Sequence, residues 1–214
     1  MNLENALVKS CNTYFADKGV EVGKDKLGEV LENFMINKNI PFDLPTQKST
    51  FPYKDNLGKT DIAAASIGQG KVLVTPLNMA LVASGIANKG EVMQPILVKE
   101  AISPEGKVIK TVHPELLSKG TDVFTANEVK NMMVEVVKRG TGTNAAIKNI
   151  RVAGKTGTAE NPSGETHAWF IGFAPADDPQ IAIAVVLEED GTTGGKTAAP
   201  IARNIMIEAL NTIK

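Results

Sequence analysis

The sequence is poor in the residues that carry redox, metal and nucleic-acid chemistry. Cysteine occurs once in 214 residues, at Cys11, so no internal disulfide can form and no cysteine set stands at metal-ligand spacing. The two histidines, His113 and His167, lie far apart in the chain, and neither a metal site nor a cofactor is predicted. Charge of one sign is lacking too: 23 Lys and Arg against 24 Asp and Glu leave no basic stripe for a phosphate backbone, so nucleic acid is excluded as an expected partner. Long hydrophobic runs are missing. Stretches such as Ile181 to Leu187 fall far short of the roughly 20 residues that span a bilayer, and the opening residues do not form a secretory leader, so the chain as written reads as soluble. What remains is ordinary globular material, 43% apolar and 22% charged, enough to bury a core as one domain or most of one.

The apolar spacing divides the chain into elements. Leu3 to Phe15 carries Leu3, Ala6, Leu7, Cys11, Tyr14 and Phe15 at helical period, with Gly19 as a stop. Between Leu27 and Gly70, three prolines (Pro41, Pro45, Pro52) interrupt any long element and predict connections over short helices. Thr75 caps a helix whose first residue is Pro76, where the missing N–H costs nothing. Residues 92 to 112, with the turn Ser103-Pro104-Glu105-Gly106, predict a small hairpin or two short strands outside the main core. Thr125 and Glu128 form a capping-box pattern, Phe124 and Val129 a hydrophobic staple, and Met132, Met133, Val136 and Val137 a buried stripe. Val152 to Glu160, His167 to Ala174 and Gln180 to Glu189 predict three consecutive antiparallel strands, with Trp169, Phe170 and Phe173 as sheet packing and Glu188, Glu189 and Asp190 solvated at a strand end. A last helix, Pro200 to Ile213, sets Ile201, Ile205, Ala209, Leu210 and Ile213 along the side facing the sheet. The fold class predicted is α+β, an antiparallel sheet packed with helices.

Two short motifs carry chemistry. Lys155-Thr156-Gly157-Thr158 stands on the first strand of the meander; Gly154 and Gly157 remove side chains where an extended ligand can approach and pair. Read alone, the triplet fits a solvated strand edge equally well. Ser10-Cys11-Asn12 lies on the opening helix and by itself describes only a polar helix surface.

In order and surroundings, however, the two resemble the second and third motifs of the penicillin-binding proteins and serine β-lactamases, whose signature is Ser-x-x-Lys, Ser-x-Asn and Lys-Thr-Gly. The stretch Ala6 to Phe15, Ser66-Ile67-Gly68-Gln69-Gly70 leading to Thr75-Pro76-Leu77-Asn78-Met79-Ala80, and Arg139-Gly140-Thr141-Gly142 are similar to class B penicillin-binding proteins. So are His167 to Pro175 and Gly194-Gly195 before Ala198-Ala199-Pro200. The resemblance implies the penicillin-binding transpeptidase fold, with Ser10 relaying a proton, Asn12 bonding a ligand amide, and Lys155 facing the substrate's terminal carboxylate. It further implies that Thr156, Gly157 and Thr158 line the substrate, and that the Thr158 N–H forms half of an oxyanion hole. The implied reaction is D,D-transpeptidation of peptidoglycan stem peptides ending in D-Ala-D-Ala at the extracytoplasmic face of a bacterial membrane, with β-lactams as inhibitors. A D,D-carboxypeptidase or β-lactam-sensor relative, and a noncatalytic peptide- or β-lactam-binding module, stay open.

The sequence departs from the pattern at one motif: no serine is followed by lysine at the third position, so the nucleophile and its activating lysine are missing. Thr193-Gly194-Gly195-Lys196 has the spacing but reads as a turn. In the family this motif lies upstream of Ser-x-Asn, which places it before Met1 and makes residues 1–214 the C-terminal portion of one transpeptidase domain, incomplete at its N-terminal side and catalytically inactive alone. The strands that the family places before the nucleophile helix would likewise be missing. The strand Gln180 to Glu189 then has a bare edge, open to self-association.

Overall fold

The computed structural model describes residues 1–213. The N-terminal half is helical: α1 Leu3–Lys9, α2 Asn12–Val22, α3 Lys24–Asn33, α4 Lys59–Ala65 and α5 Pro76–Ala87. Two short ribbons follow, β1 Glu91–Met93 paired with β4 Leu116–Lys119, and β2 Glu100–Ile102 paired with β3 Val108–Thr111. Helix α6 Val123–Arg139 leads to the sheet β5 Ala153–Ala159, β6 His167–Ala174 and β7 Ile181–Leu187, closed by α7 Ala198–Thr212. The sheet is an antiparallel meander in the order β5-β6-β7, its register running from Ala153 opposite Phe173 to Ala159 opposite His167.

Period-2 alternation on β6 sends Phe173 and Ile171 to one face and Ala168, Phe170 and Ala174 to the other. On the first face α5 and α6 cover the sheet with Leu81, Ala83, Met133 and Val134; on the second, α7 packs Ala198, Ala199, Ala202 and Met206 over Phe170 and Ile183. Phe170 and Phe173 are both fully buried, one in each layer. A satellite core of Ile36, Phe51, Tyr53 and Leu57 anchors the proline-rich connection beneath α3 and α4.

The sheet, the Thr75 cap and the hairpin turn match the sequence expectation. Thr75 accepts from the Asn78 N–H, and Pro76 occupies the first turn of α5. Four details differ. The opening helix is two helices, because Ser10 adopts a left-handed conformation (φ 52°) and the amides of Ser10 and Cys11 turn back to Leu7 and Ala6. Gly19 does not end α2; it is buried where the helix crosses Ser66, in space a β-carbon would fill. The cap of α6 is Asp122, one turn before the expected Thr125, whose N–H it accepts at 2.9 Å, and Phe124 is exposed rather than stapled. On α7 the face with Ala198, Ala199, Ala202 and Met206 is buried and Ile201, Ile205 and Ile213 are exposed; of the expected stripe, Leu210 packs on this layer, where the three alanines let the helix backbone approach Phe170 and Ile183 closely.

Candidate active site

The break between α1 and α2 decides where the two motifs meet. Ser10 holds the left-handed C-cap of α1 and Asn12 opens α2, so both side chains stand at a helix junction rather than on one helical turn. That junction faces β5, and Lys155 Nζ donates to Ser10 Oγ at 2.8 Å, 145 residues away in sequence. The same ammonium donates to the Thr156 carbonyl at 2.7 Å. Ser10, Asn12, Lys155, Thr156, Gly157 and Thr158 all line one cleft of about 750 Å³. Every site residue read from sequence is therefore brought together.

Lys155 has only neutral oxygens as partners, and no carboxylate lines the cleft among the described residues; the other charged group there is Lys196. Burial disfavours its charged form and brings its pKa down from 10.5 to about 8. A group held this way is short of a counter-charge, and a ligand carboxylate would supply one.

Other lining residues were visible in sequence only as neighbours without a role. Thr141, from the turn after α6, shares a hydrogen bond with Thr156 between their hydroxyls at 2.6 Å. Asn144 Nδ2 donates to the Gly195 carbonyl at 2.7 Å, tying the turn Thr193 to Lys196 to the cleft wall. That segment is the predicted turn, and it also forms part of the site. Gly194 lies so close to β5 and β6 that a β-carbon would come 2.0 Å from the Trp169 carbonyl oxygen and 2.4 Å from that of Gly157. Asp190 is not simply solvated. It accepts hydrogen bonds from Thr192 and Thr197, which hold its carboxyl below the usual range and pin the base of the same turn. Gln69, from the loop after α4, reaches across to the Thr158 carbonyl at 3.3 Å. No group of three or more His, Cys, Asp or Glu side chains is arranged to hold a metal among the described residues.

The penicillin-binding protein transpeptidase-domain model matches residues 1–207. The chain belongs to the penicillin-binding protein transpeptidase family. It is 36% identical to the peptidoglycan D,D-transpeptidase PbpA of Mycolicibacterium smegmatis, over 98% of this chain and 44% of that protein. Stage V sporulation protein D of Bacillus subtilis is 34% identical, over 94% of this chain and 33% of the relative. Among solved structures, the D,D-transpeptidase domain of a peptidoglycan glycosyltransferase from Eggerthella lenta is similar at TM-score 0.91 and 36% identity, covering 99% of this chain and 54% of that one. Penicillin-binding protein A of M. tuberculosis, as a penicillin G acyl-enzyme complex, gives 0.89 and 34%, covering 99% and 48%. The chain thus spans about a third to a half of these penicillin-binding proteins, and within that span it has their helices and antiparallel sheet.

Proposed function

We infer that residues 1–214 are the substrate-pairing, C-terminal portion of a peptidoglycan D,D-transpeptidase domain. The observation that carries this reading is the Lys155–Ser10 hydrogen bond, which joins the Lys-Thr-Gly and Ser-x-Asn motifs in one cleft without an opposing carboxylate. An extended stem peptide ending in D-Ala-D-Ala adds to the open edge of β5 and sets its terminal carboxylate against Lys155 and the Thr156 and Thr158 hydroxyls. Gly157 leaves the strand bare for that approach. Asn12 bonds a ligand amide, Ser10 relays a proton to or from Lys155, and the Thr158 N–H donates to the developing oxyanion. One such donor contributes about 2.7–4 kcal/mol in acyl transfer. β-Lactams follow the same contacts.

Acyl transfer also needs a serine with an adjacent base, and the 214 residues contain no Ser-x-x-Lys. This chain by itself is a binding wall that forms no acyl-enzyme; the nucleophile must be supplied from outside these residues. The activity places the working protein at the extracytoplasmic face of a bacterial membrane. No helix among the described residues is long and apolar enough to cross one. The free edge of β7, beside the exposed Ile201 and Ile205 of α7, is the surface through which the isolated chain self-associates. A concentration-independent monomer in sedimentation would contradict that.

The binding reading is tested by titrating the chain with diacetyl-Lys-D-Ala-D-Ala and following the β5 amides by NMR. Saturable shifts at Lys155 to Thr158 that vanish in Lys155→Ala are expected. Shifts that survive the substitution would mean that the peptide binds elsewhere.

A further inference from the structure

β5 is the outer strand of its sheet, and alternate residues of an edge strand turn both their N–H and C=O away from the partner strand. The carbonyls of Thr156 and Thr158, two positions apart, accept from the side chains of Lys155 and Gln69, which marks them as those residues. Each is covered by a side chain: Thr156 by Lys155 Nζ at 2.7 Å, Thr158 by Gln69 Nε2 at 3.3 Å. These are the two acceptors that an added strand would use. Two residues of extended backbone span roughly 7 Å. That is the reach from a ligand's terminal carboxylate, seated at Lys155, back to the N–H of its penultimate residue.

Gln69 does not belong to the strand it covers. It is 89 residues away, on the loop after α4, and the residue on either side of it is a glycine in the left-handed region, Gly68 at φ 74° and Gly70 at φ 72°. Gly68 has no neighbour within 4 Å of where a side chain would start, so the space beside Gln69 is open for its side chain to swing. Below it, Lys71 pairs with Asp61 at 3.4 Å and fixes the loop's return to α4. The backbone at the tip is tied down as well, Gly68 N–H donating to the Ala65 carbonyl and Gln69 N–H to the Ala64 carbonyl, each at 2.9 Å, so the part that can leave Thr158 is the Gln69 side chain.

We propose that Gln69 is a gate on the substrate-pairing edge: it donates to the Thr158 carbonyl while the cleft is empty and leaves when a peptide's penultimate N–H takes that acceptor. This rests on the peptide-binding reading above and adds a competitor to it. The same contact blunts the open edge against pairing with other chains. Only extended ligands bearing an N–H at that position repay the lost hydrogen bond, which makes Gln69 a positioning and selectivity residue rather than a catalytic one.

The test uses the whole chain, diacetyl-Lys-D-Ala-D-Ala as probe, and two variants that remove the donor: Gln69→Ala, and Gln69→Met, which keeps the side chain's length. With no competing donor both should bind the peptide about fivefold more tightly, the value of one net hydrogen bond of about 1 kcal/mol. In the unsubstituted chain, saturating peptide should move the Gln69 side-chain amide resonances to their solvent-exposed positions, a response a purely structural role would not give. Equal or weaker affinity in both variants, or Gln69 resonances unmoved at saturation, would overturn the gate while leaving the binding reading standing. Absence of peptide binding in all three proteins would instead overturn the binding reading, and the gate with it.

Discussion

The burial of Lys155 has a consequence that can be measured without any ligand. Its pKa of about 8 in the fold, against an ordinary 10.5, means that the folded chain binds fewer protons than the unfolded chain between those two pH values. Stability therefore rises with pH across that window. Below about pH 8 the cost of burying the charge is fully present; above 10.5 both states are neutral at this residue and the cost is gone. At about 1.4 kcal/mol per pH unit the whole effect is about 3 kcal/mol. Other groups titrate in the same range, so the quantity to measure is the difference between the unsubstituted chain and Lys155→Met, by urea denaturation at half-unit steps from pH 7 to 11. Lys155→Met should be the more stable protein at pH 7, with the advantage shrinking above pH 8 and ending near 10.5. A difference that is flat with pH would show Lys155 to be solvated. A difference that grows with pH would reverse the argument's sign.

Further outcomes follow from packing and capping. Phe170→Ala empties a fully buried position between the sheet and α7 and should cost about 3–5 kcal/mol in denaturation. Asp122→Ala should cost about 1 kcal/mol, because Asp122 rather than Thr125 accepts the first-turn N–H of α6; equal losses for Asp122→Ala and Thr125→Ala would count against that assignment. Gly194→Ala puts a methyl 2.0 Å from the Trp169 carbonyl oxygen, so the turn from Thr193 to Lys196 must move away from β5 and peptide affinity should fall, read as a higher dissociation constant by NMR.

The sheet was legible in sequence because its strands are short, apolar and closed by Pro- and Gly-containing turns; β5, β6 and β7 fall within one or two residues of the expected ends. So was the membership of the cleft, through two motifs whose residues line it together. What was not legible depends on contacts distant in sequence. Nothing local marks Ser10 as left-handed, since that position is more often glycine, and without the break the Ser-x-Asn motif reads as one helical face. Most of the stripe on α7 was misplaced because periodicity finds the bulky side chains, while the close approach of the helix to Phe170 and Ile183 turns Ala198, Ala199, Ala202 and Met206 inward and keeps only Leu210 of the expected residues on that layer. Gln69 lay in a recognisable stretch, but its partner is a backbone carbonyl, which carries no sequence signal at all.

The central claim is that these residues hold the substrate wall of a transpeptidase but not its nucleophile. Intact-mass spectrometry after incubation with penicillin G tests it directly, with M. tuberculosis penicillin-binding protein A, whose penicillin G acyl-enzyme is known, as the positive control. The account predicts that the control gains one antibiotic mass and that the 214-residue chain stays at its own. A stoichiometric covalent adduct on this chain would contradict it, because one of its own residues would then be the nucleophile.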